Sequence, residues 1–218
     1  MKLIRVIISS ACLLLASIAA IPAQAGSSDF SGPFISLQAS ANGAELSGVY
    51  TDNDGAATEG TGGKVFPAAG ASIGINIPLG PVFFIGVEGQ MDFGQALISA
   101  ADDAAKEANI DISARNRETW SITPGLSLSE GSAIFLRFGD TDIDLECTVG
   151  TTCPSSLSGD TLGIGSIAKI GHGLYIKAEA GYTEYGEISI TNLGKGNNGS
   201  IDADPDMIYG NIQLGWQF

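Results

Sequence analysis

The sequence predicts an all-β fold: eight antiparallel strands closed into an up-and-down transmembrane β-barrel. Three observations carry that prediction. Apolar and polar residues alternate with period two in eight separate runs, the pattern of strands with one apolar and one polar face. The connections between runs alternate strictly between tight turns and long polar stretches. The start, "MKLIRVIISSACLLLASIAAIPAQA", places Lys2 and Arg5 before a short apolar core and closes on Ala23-Gln24-Ala25. That is the layout of a secretory signal peptide, so residues 1–25 are expected to be cleaved and 26–218 to form one barrel domain. The apolar run is short for a spanning helix. Cys12 is expected to leave with the peptide, because Ser9-Ser10-Ala11 lacks the aliphatic residue of a lipoprotein signal.

The first strand is expected over about 33–44, with Ile35, Leu37, Ala39 and Ala41 facing one way and Ser36, Gln38, Ser40 and Asn42 the other. The second, about 64–77, sets Ala69, Ala71, Ile73, Ile75 and Ile77 against Gly70, Ser72, Gly74 and Asn76. In the third, "VFFIGVEGQMDFG", Phe83, Ile85, Val87, Met91 and Phe93 oppose Gly86, Glu88, Gln90 and Asp92. The fourth alternates Trp120, Ile122, Leu126 and Leu128 with Ser121, Thr123, Gly125 and Ser127. Pro124 lies inside it and cannot donate to a ladder, which predicts a bulge or local break. The fifth, "SAIFLRFGD", places Ile134, Leu136 and Phe138 opposite to Phe135, Arg137 and Gly139. A sixth covers about 161–170, a seventh is "LYIKAEAGYTEY", and the eighth runs from about Met207 into "NIQLGWQF".

The turns "PLGP", "SEG" and "GHG" join strands two to three, four to five and six to seven. They are hairpin turns. The other connections, roughly 47–63, 95–117, 140–160 and 186–206, are long and polar. Outer-membrane barrels sort their connections in this way, short on the periplasmic side and long on the extracellular side. In a soluble ligand-binding barrel the apolar face would point inward. The aromatics near strand ends (Phe83, Phe93, Trp120, Tyr182, Trp216, Phe218) and a polar face made mostly of Gly, Ser, Thr and Gln favour the inverted, lipid-facing arrangement. The 97–108 stretch has helical composition, so a short helix is expected in its loop.

Lys and Arg number 10 against 24 Asp and Glu, a net charge of −14; without Lys2 and Arg5 the remainder carries 8 against 24, or −16. Nucleic-acid binding needs a basic footprint, and this chain has the opposite. No stretch after the leader is apolar for long enough to span a bilayer as a helix. Cysteine is too scarce for a disulfide-built scaffold.

The signal peptide, the eight runs, the loop pattern and the terminal Phe218 resemble the small outer-membrane barrels of the OmpA/OmpX and opacity-protein type. The stretches "FFIGVEGQMDFG" and "LYIKAEAGYTEYGE" look like the third and seventh strands of that porin-like barrel family. The resemblance spans the whole mature chain through loose patterns, and implies fold and a bacterial cell outer-membrane location more directly than activity. Full-length OmpA carries a periplasmic peptidoglycan-binding domain after its barrel, and this sequence departs from it in that a barrel alone is expected here. The terminal row Ile212, Leu214, Trp216 and Phe218 looks like the signal read by the barrel-assembly machinery. The implied surroundings are outer-membrane lipid and lipopolysaccharide, and the expected state is a monomer.

Chemistry-bearing candidates are few. His172, the single histidine, sits in the "GHG" turn, away from the extracellular rim where barrel enzymes would need it. No enzyme activity, cofactor or resident metal is expected. The acidic stretches "TDNDGAATE", "AADDAAKEANID", "DTDIDLE" and "DADPD" lack the spacing of an EF-hand loop. They read as solvated loops able to collect divalent cations between themselves and lipopolysaccharide phosphates. Cys147 and Cys153, in "CTVGTTC", are expected to form a disulfide in an oxidising compartment. The coherent set is the charges on the inner face: Glu88, Asp92, Arg137, Lys169, Lys177 and Glu179. Charges in so narrow an interior must pair. Arg137 is expected to pair with Glu88 or Glu179 at mid-height, with Gly86, Gly163, Gly165 and Gly181 leaving room for its side chain. A structural or surface-interaction barrel follows; a small passive channel and an adhesin or receptor acting through its loops are the alternatives.

Overall fold

A computed structural model describes residues 26–99, 111–147, 152–191 and 199–218. Among the described residues a 3-10 turn, Ser27–Phe30, is followed by nine strands: β1 (Gly32–Thr51), β2 (Ala57–Pro78), β3 (Phe83–Ser99), β4 (Asp111–Ser129), β5 (Ser132–Cys147), β6 (Ser156–Lys169), β7 (Leu174–Tyr185), β8 (Ile188–Thr191) and β9 (Ser200–Gln217). Neighbours in sequence pair antiparallel from β1 to β7, β7 pairs β9, and β9 returns to β1. Eight strands therefore close a barrel, and β8 is a short addition on the upper edge of β9, from Ile188↔Ala203 to Thr191↔Ser200.

The closing seam, Phe34↔Gln217 to Thr51↔Ser200, is continuous. Alternation decides which face is which. Along β1, Phe34, Ser36, Gln38, Ser40 and Asn42 are buried while Ile35 and Leu37 are exposed. The apolar face points outward, so the hydrophobic effect is satisfied by lipid and the polar face fills the lumen.

All eight runs form barrel strands, and several run further than the sequence reading placed them. The stretches read as loops at 47–63, 140–160 and 186–206 contain the outer ends of β1, β2, β5, β6 and β9 and the whole of β8. A tilted strand crosses a bilayer in about 9–11 residues, whereas β1 has 20 and β2 has 22. Their outer ends are polar and Gly-rich, and pair in water above the membrane. The helix expected over 97–108 is corrected at its start, where residues 97–99 belong to β3; the remainder lies outside the described residues.

Pro124 produces a gap without a shift. It pairs with Ile85 of β3, while the β4–β5 ladder lapses between Ile122↔Phe138 and Gly125↔Phe135 and resumes in the same register. The bulges fall elsewhere: at Asp92/Gln95 of β3, at Arg115/Glu118 of β4, where Asn116 takes φ 50°, and near Ser127/Ser129. The short turns lie at the end where the chain enters β1, with Gly80 and Gly173 at positive φ supplying the left-handed corners.

Candidate functional site

The lumen is layered, beginning at the short-turn, periplasmic end. Phe30 of the 3-10 turn is 1% exposed and stacks on Phe84 with ring centroids 6.0 Å apart. The Ser27 N–H donates to the Pro81 carbonyl at 2.7 Å, its hydroxyl donates to the Gly80 carbonyl, and Lys169 stands 5.5 Å over the Phe30 ring. Residues 26–30 thus lie across the mouth as a cork.

Above it comes a ring of aromatics, each opposite a glycine. Phe34↔Gly74, Phe84↔Gly125, Phe135↔Gly165 and Tyr175↔Gly215 are directly paired across strands. In every case a Cβ on the glycine would overlap the facing ring. The absent side chain is what lets each ring lie against the wall, and Tyr209 uses Gly181 in the same way higher up. Gly165 and Gly181, read from sequence as room for Arg137, make room for Phe135 and Tyr209 instead; Gly86 lies under Asn76 and Thr123.

The next layer is ionic. The Arg137 Nη2 donates to Glu88 Oε2 and Glu179 Oε2, both at 2.9 Å, its Nε lies 2.6 Å from Glu179 Oε1, and its Nη1 donates to the Ser121 hydroxyl at 2.5 Å. Lys177 donates to Glu88 and sits 4.6 Å over the Phe135 ring. The Tyr209 hydroxyl donates to Glu179 Oε1 at 2.7 Å. Arg137 and Glu88 are 1% and 0% exposed. A cavity of about 10 Å³ between the aromatic and ionic layers has room for roughly one water.

Further out, four hydroxyls link β4 to β7: Thr119 to Thr141 at 2.9 Å, Thr141 to Thr161 at 2.6 Å and Thr161 to Thr183 at 2.7 Å. Beyond them Arg117 pairs with Asp92, donates to Asn42 Oδ1 at 3.2 Å, and stacks 5.1 Å from the Tyr209 ring; Gln38 also donates to Asp92. The extracellular mouth is filled by Ile188, Ile190 and Ala203, with Leu46, Tyr50, Leu145, Leu157, Ile201 and the Cys147–Cys153 disulfide packed around them.

Of the six charges assigned from sequence, the structure gathers Glu88, Arg137, Lys177 and Glu179 into one cluster. Asp92 lies outward of it with Arg117, and Lys169 is corrected: it stands at the periplasmic mouth over Phe30, without an ion pair to the cluster. Its place at the end of β6 puts it beside the cork rather than among the carboxylates. Sequence reading missed Arg117 because it was assigned to a loop. Extending the inner series Ser121, Thr119 by one more step reaches it. It missed Phe30, which carries no periodic signal. The glycine–aromatic ring had one: "PFI", "FFI", "IFL" and "LYI" open β1, β3, β5 and β7.

The outer surface has an apolar belt. Phe83, Phe93, Trp120, Ile212, Leu214, Trp216 and Phe218 all face outward and are exposed. Just above the belt, Asp140↔Asp160, Asp160↔Glu184, Glu184↔Asp206 and Asp206↔Glu45 put carboxylates directly opposite one another across five strands. Among the described residues no group of three or more His, Cys, Asp or Glu converges to hold a metal ion.

No family model matches the sequence and no curated protein is recognisably similar to it. Solved structures are similar in shape. The outer membrane protein OprG from Pseudomonas aeruginosa matches at 12% identity over 86% of this chain and 96% of that one, with a TM-score of 0.57. The outer membrane protease OmpT from Escherichia coli matches at 9% identity over 86% and 97%, with a TM-score of 0.47. The attachment invasion locus protein Ail of Yersinia pestis matches at 10% over 83% and 99%, at 0.36. At 12% identity the likeness to OprG speaks to the fold alone.

Proposed function

We propose that this chain, an outer-membrane β-barrel of the bacterial cell, is a closed barrel that works through its extracellular surface rather than by conduction or catalysis. The observation that carries the reading is the filling of the lumen. Three buried cations (Arg117, Arg137, Lys177) face three buried carboxylates (Glu88, Asp92, Glu179). That balance leaves no net charge to draw an ion in, and aromatic and aliphatic layers lie on either side. Buried charges of this kind are tolerable when each has its partner.

The exposed belt meets lipid. The carboxylate row above it takes divalent cations as bridges to lipopolysaccharide phosphates, which relieves its self-repulsion. Residues 1–25 act as a cleaved leader, and the outward row Ile212, Leu214, Trp216 and Phe218 is the stretch offered to the assembly machinery. The barrel is a monomer. His172 is exposed in the turn between β6 and β7, and among the described residues no nucleophile pairs with it, which supports a role other than His-dependent hydrolysis.

Reconstitution in planar bilayers tests the reading. The wild type should give little or no steady current. A stable channel whose conductance follows salt and is the same in Arg137→Ala would overturn it in favour of a porin.

A further inference from the structure

We propose that residues 26–31 are a latch set by closure of the barrel: they seal the periplasmic mouth only once β9 has paired with β1 as far as Phe218. The socket that receives them is composite. Phe30 shares one buried cluster with Phe34 of β1, Phe84 of β3, Phe135 of β5, Ile167 of β6 and Tyr175 of β7. These strands come from all round the wall, so the socket exists only when the sheet has curled shut. The polar fastenings are spread as well. Ser27 is held at the Gly80–Pro81 turn, and the Ser127 hydroxyl at the end of β4 donates to the Gly26 carbonyl at 3.4 Å.

The hinge is Gly32. Its φ of 110° is a value that residues with a side chain rarely adopt, and a Cβ there would come within 2.6 Å of the Phe218 carbonyl oxygen. At the same corner the Phe218 N–H donates to the Pro33 carbonyl at 3.0 Å, one step beyond the Phe34↔Gln217 pair. This last rung of the closing seam fixes the direction in which the chain enters β1 from the mouth. Without it, one phenyl ring and three hydrogen bonds to the wall stand against the entropy of ordering six residues, a cost at least as large. Socket and hinge give the same order of events: the seam pairs first and the mouth seals second. The seal matters to the lumen beneath it. Phe30 walls the cavity of about 10 Å³ below the ionic layer, so its departure would open that space to the periplasm.

The test uses Ser27→Cys, at a site 1% exposed, in a barrel that also carries Cys147→Ser and Cys153→Ser. This change keeps the residue 27 N–H bond to Pro81 and leaves Phe30 in place. The full barrel is purified, its fold is checked by heat-modifiable migration on a gel, and labelling by a bulky maleimide is timed on the folded fraction. Ser27→Cys should label more slowly than Ser28→Cys, whose site is exposed, by about tenfold or more. Gly32→Ala and, separately, deletion of Phe218 should each speed labelling at position 27 by about tenfold or more. Phe218→Ala keeps the backbone of the last rung and should leave position 27 protected. Thr141→Cys, fully buried in the lumen, should stay protected in every variant, which separates loss of the latch from loss of the barrel. Labelling of Ser27→Cys as fast as Ser28→Cys in the parent barrel would overturn the proposal. So would protection that survives both Gly32→Ala and the Phe218 deletion, or labelling of Thr141→Cys in step with position 27.

Discussion

The two halves of the barrel obey different rules, and the β2–β3 seam shows where one gives way to the other. Ten residue pairs join β2 to β3, from Pro78↔Phe84 to Ala69↔Phe93. About 9–11 residues carry a tilted strand across a bilayer. Over that length each barrel strand has a neighbour on both sides, because lipid offers nothing to an unpaired N–H or C=O. Beyond it the two strands part, at a level where water can satisfy what the ladder no longer does. The inner half is closed, in register and charge-balanced. The outer half is long and acidic, and among the described residues β2 pairs there with β1 alone. Closure is thus a demand of the membrane rather than of the sheet.

The sharpest break of the inner half is Arg137→Ala. It strands Glu88 and Glu179 in a buried interior, leaving Lys177 as the one cation of the cluster beside both. Removing one member of a buried pair costs about 3–5 kcal/mol. The unfolding midpoint in urea should fall accordingly, while replacement of the whole cluster by apolar residues of similar volume should recover much of the loss. An unchanged midpoint in Arg137→Ala would mean that the carboxylates reach water after all.

Next in size is the aromatic ring. In Gly125→Ala the new methyl would overlap the Phe84 ring, itself held by Phe30. Overpacking of this sort costs about 1–3 kcal/mol. The double variant Gly125→Ala with Phe84→Leu should be less destabilised than the sum of its parts, and strict additivity would remove the claimed contact. The same test at Gly215 and Tyr175 would show whether the ring behaves as one layer.

How much of this was legible before the structure depends on which half is read. Alternation of apolar and polar residues has a physical cause in the inner half, since one face meets lipid and the other the lumen. It therefore placed Glu88, Arg137, Lys177 and Glu179 on one face. The outer half has water on one side and a small cluster on the other, so its strands carry weak alternation and were read as loops. The pairing of Phe34 with Gly74 or Phe135 with Gly165 could not be read, because it depends on register between distant segments. Phe30 was illegible for another reason: its burial comes from the mouth it happens to cover, not from the pattern around it.

The disulfide belongs wholly to the outer half and should test its independence. Cys147 and Cys153 lie 6.5 Å apart at Cα, packed with Leu145 and Leu157 against the Ile188–Ile190 cluster. Closing so short a loop is worth about 2 kcal/mol at most in the chain-entropy account. Reduction, or Cys153→Ser, should leave the heat-modifiable transition of the barrel where it is and speed proteolysis near residues 147–156. A parallel loss of both would mean that the two halves unfold as one unit. Without reductant, thiol labelling of the folded protein should find no free cysteine; two labelled thiols would dispose of the bond.

The smallest effect expected is also the one with the less usual sign. Asp160 faces Asp140 on one neighbour and Glu184 on the other. Like charges directly opposite across strands cost roughly 0.2–1 kcal/mol each, so the native row works against the fold unless ions gather there. Asp160→Asn should therefore raise the stability of the purified barrel in chelator at low ionic strength, by about 1 kcal/mol or less. The gain should shrink as monovalent salt screens the row, since exposed charges lose their interaction over about 8–10 Å at physiological ionic strength. Magnesium or calcium should stabilise the wild type more than Asp160→Asn, because the variant has given up the central carboxylate of the row. If chelator leaves the wild type untouched and Asp160→Asn is destabilising at every salt concentration, the row is held by contacts with the strand rather than by counter-ions. The acidic half would then owe nothing to cations in its surroundings.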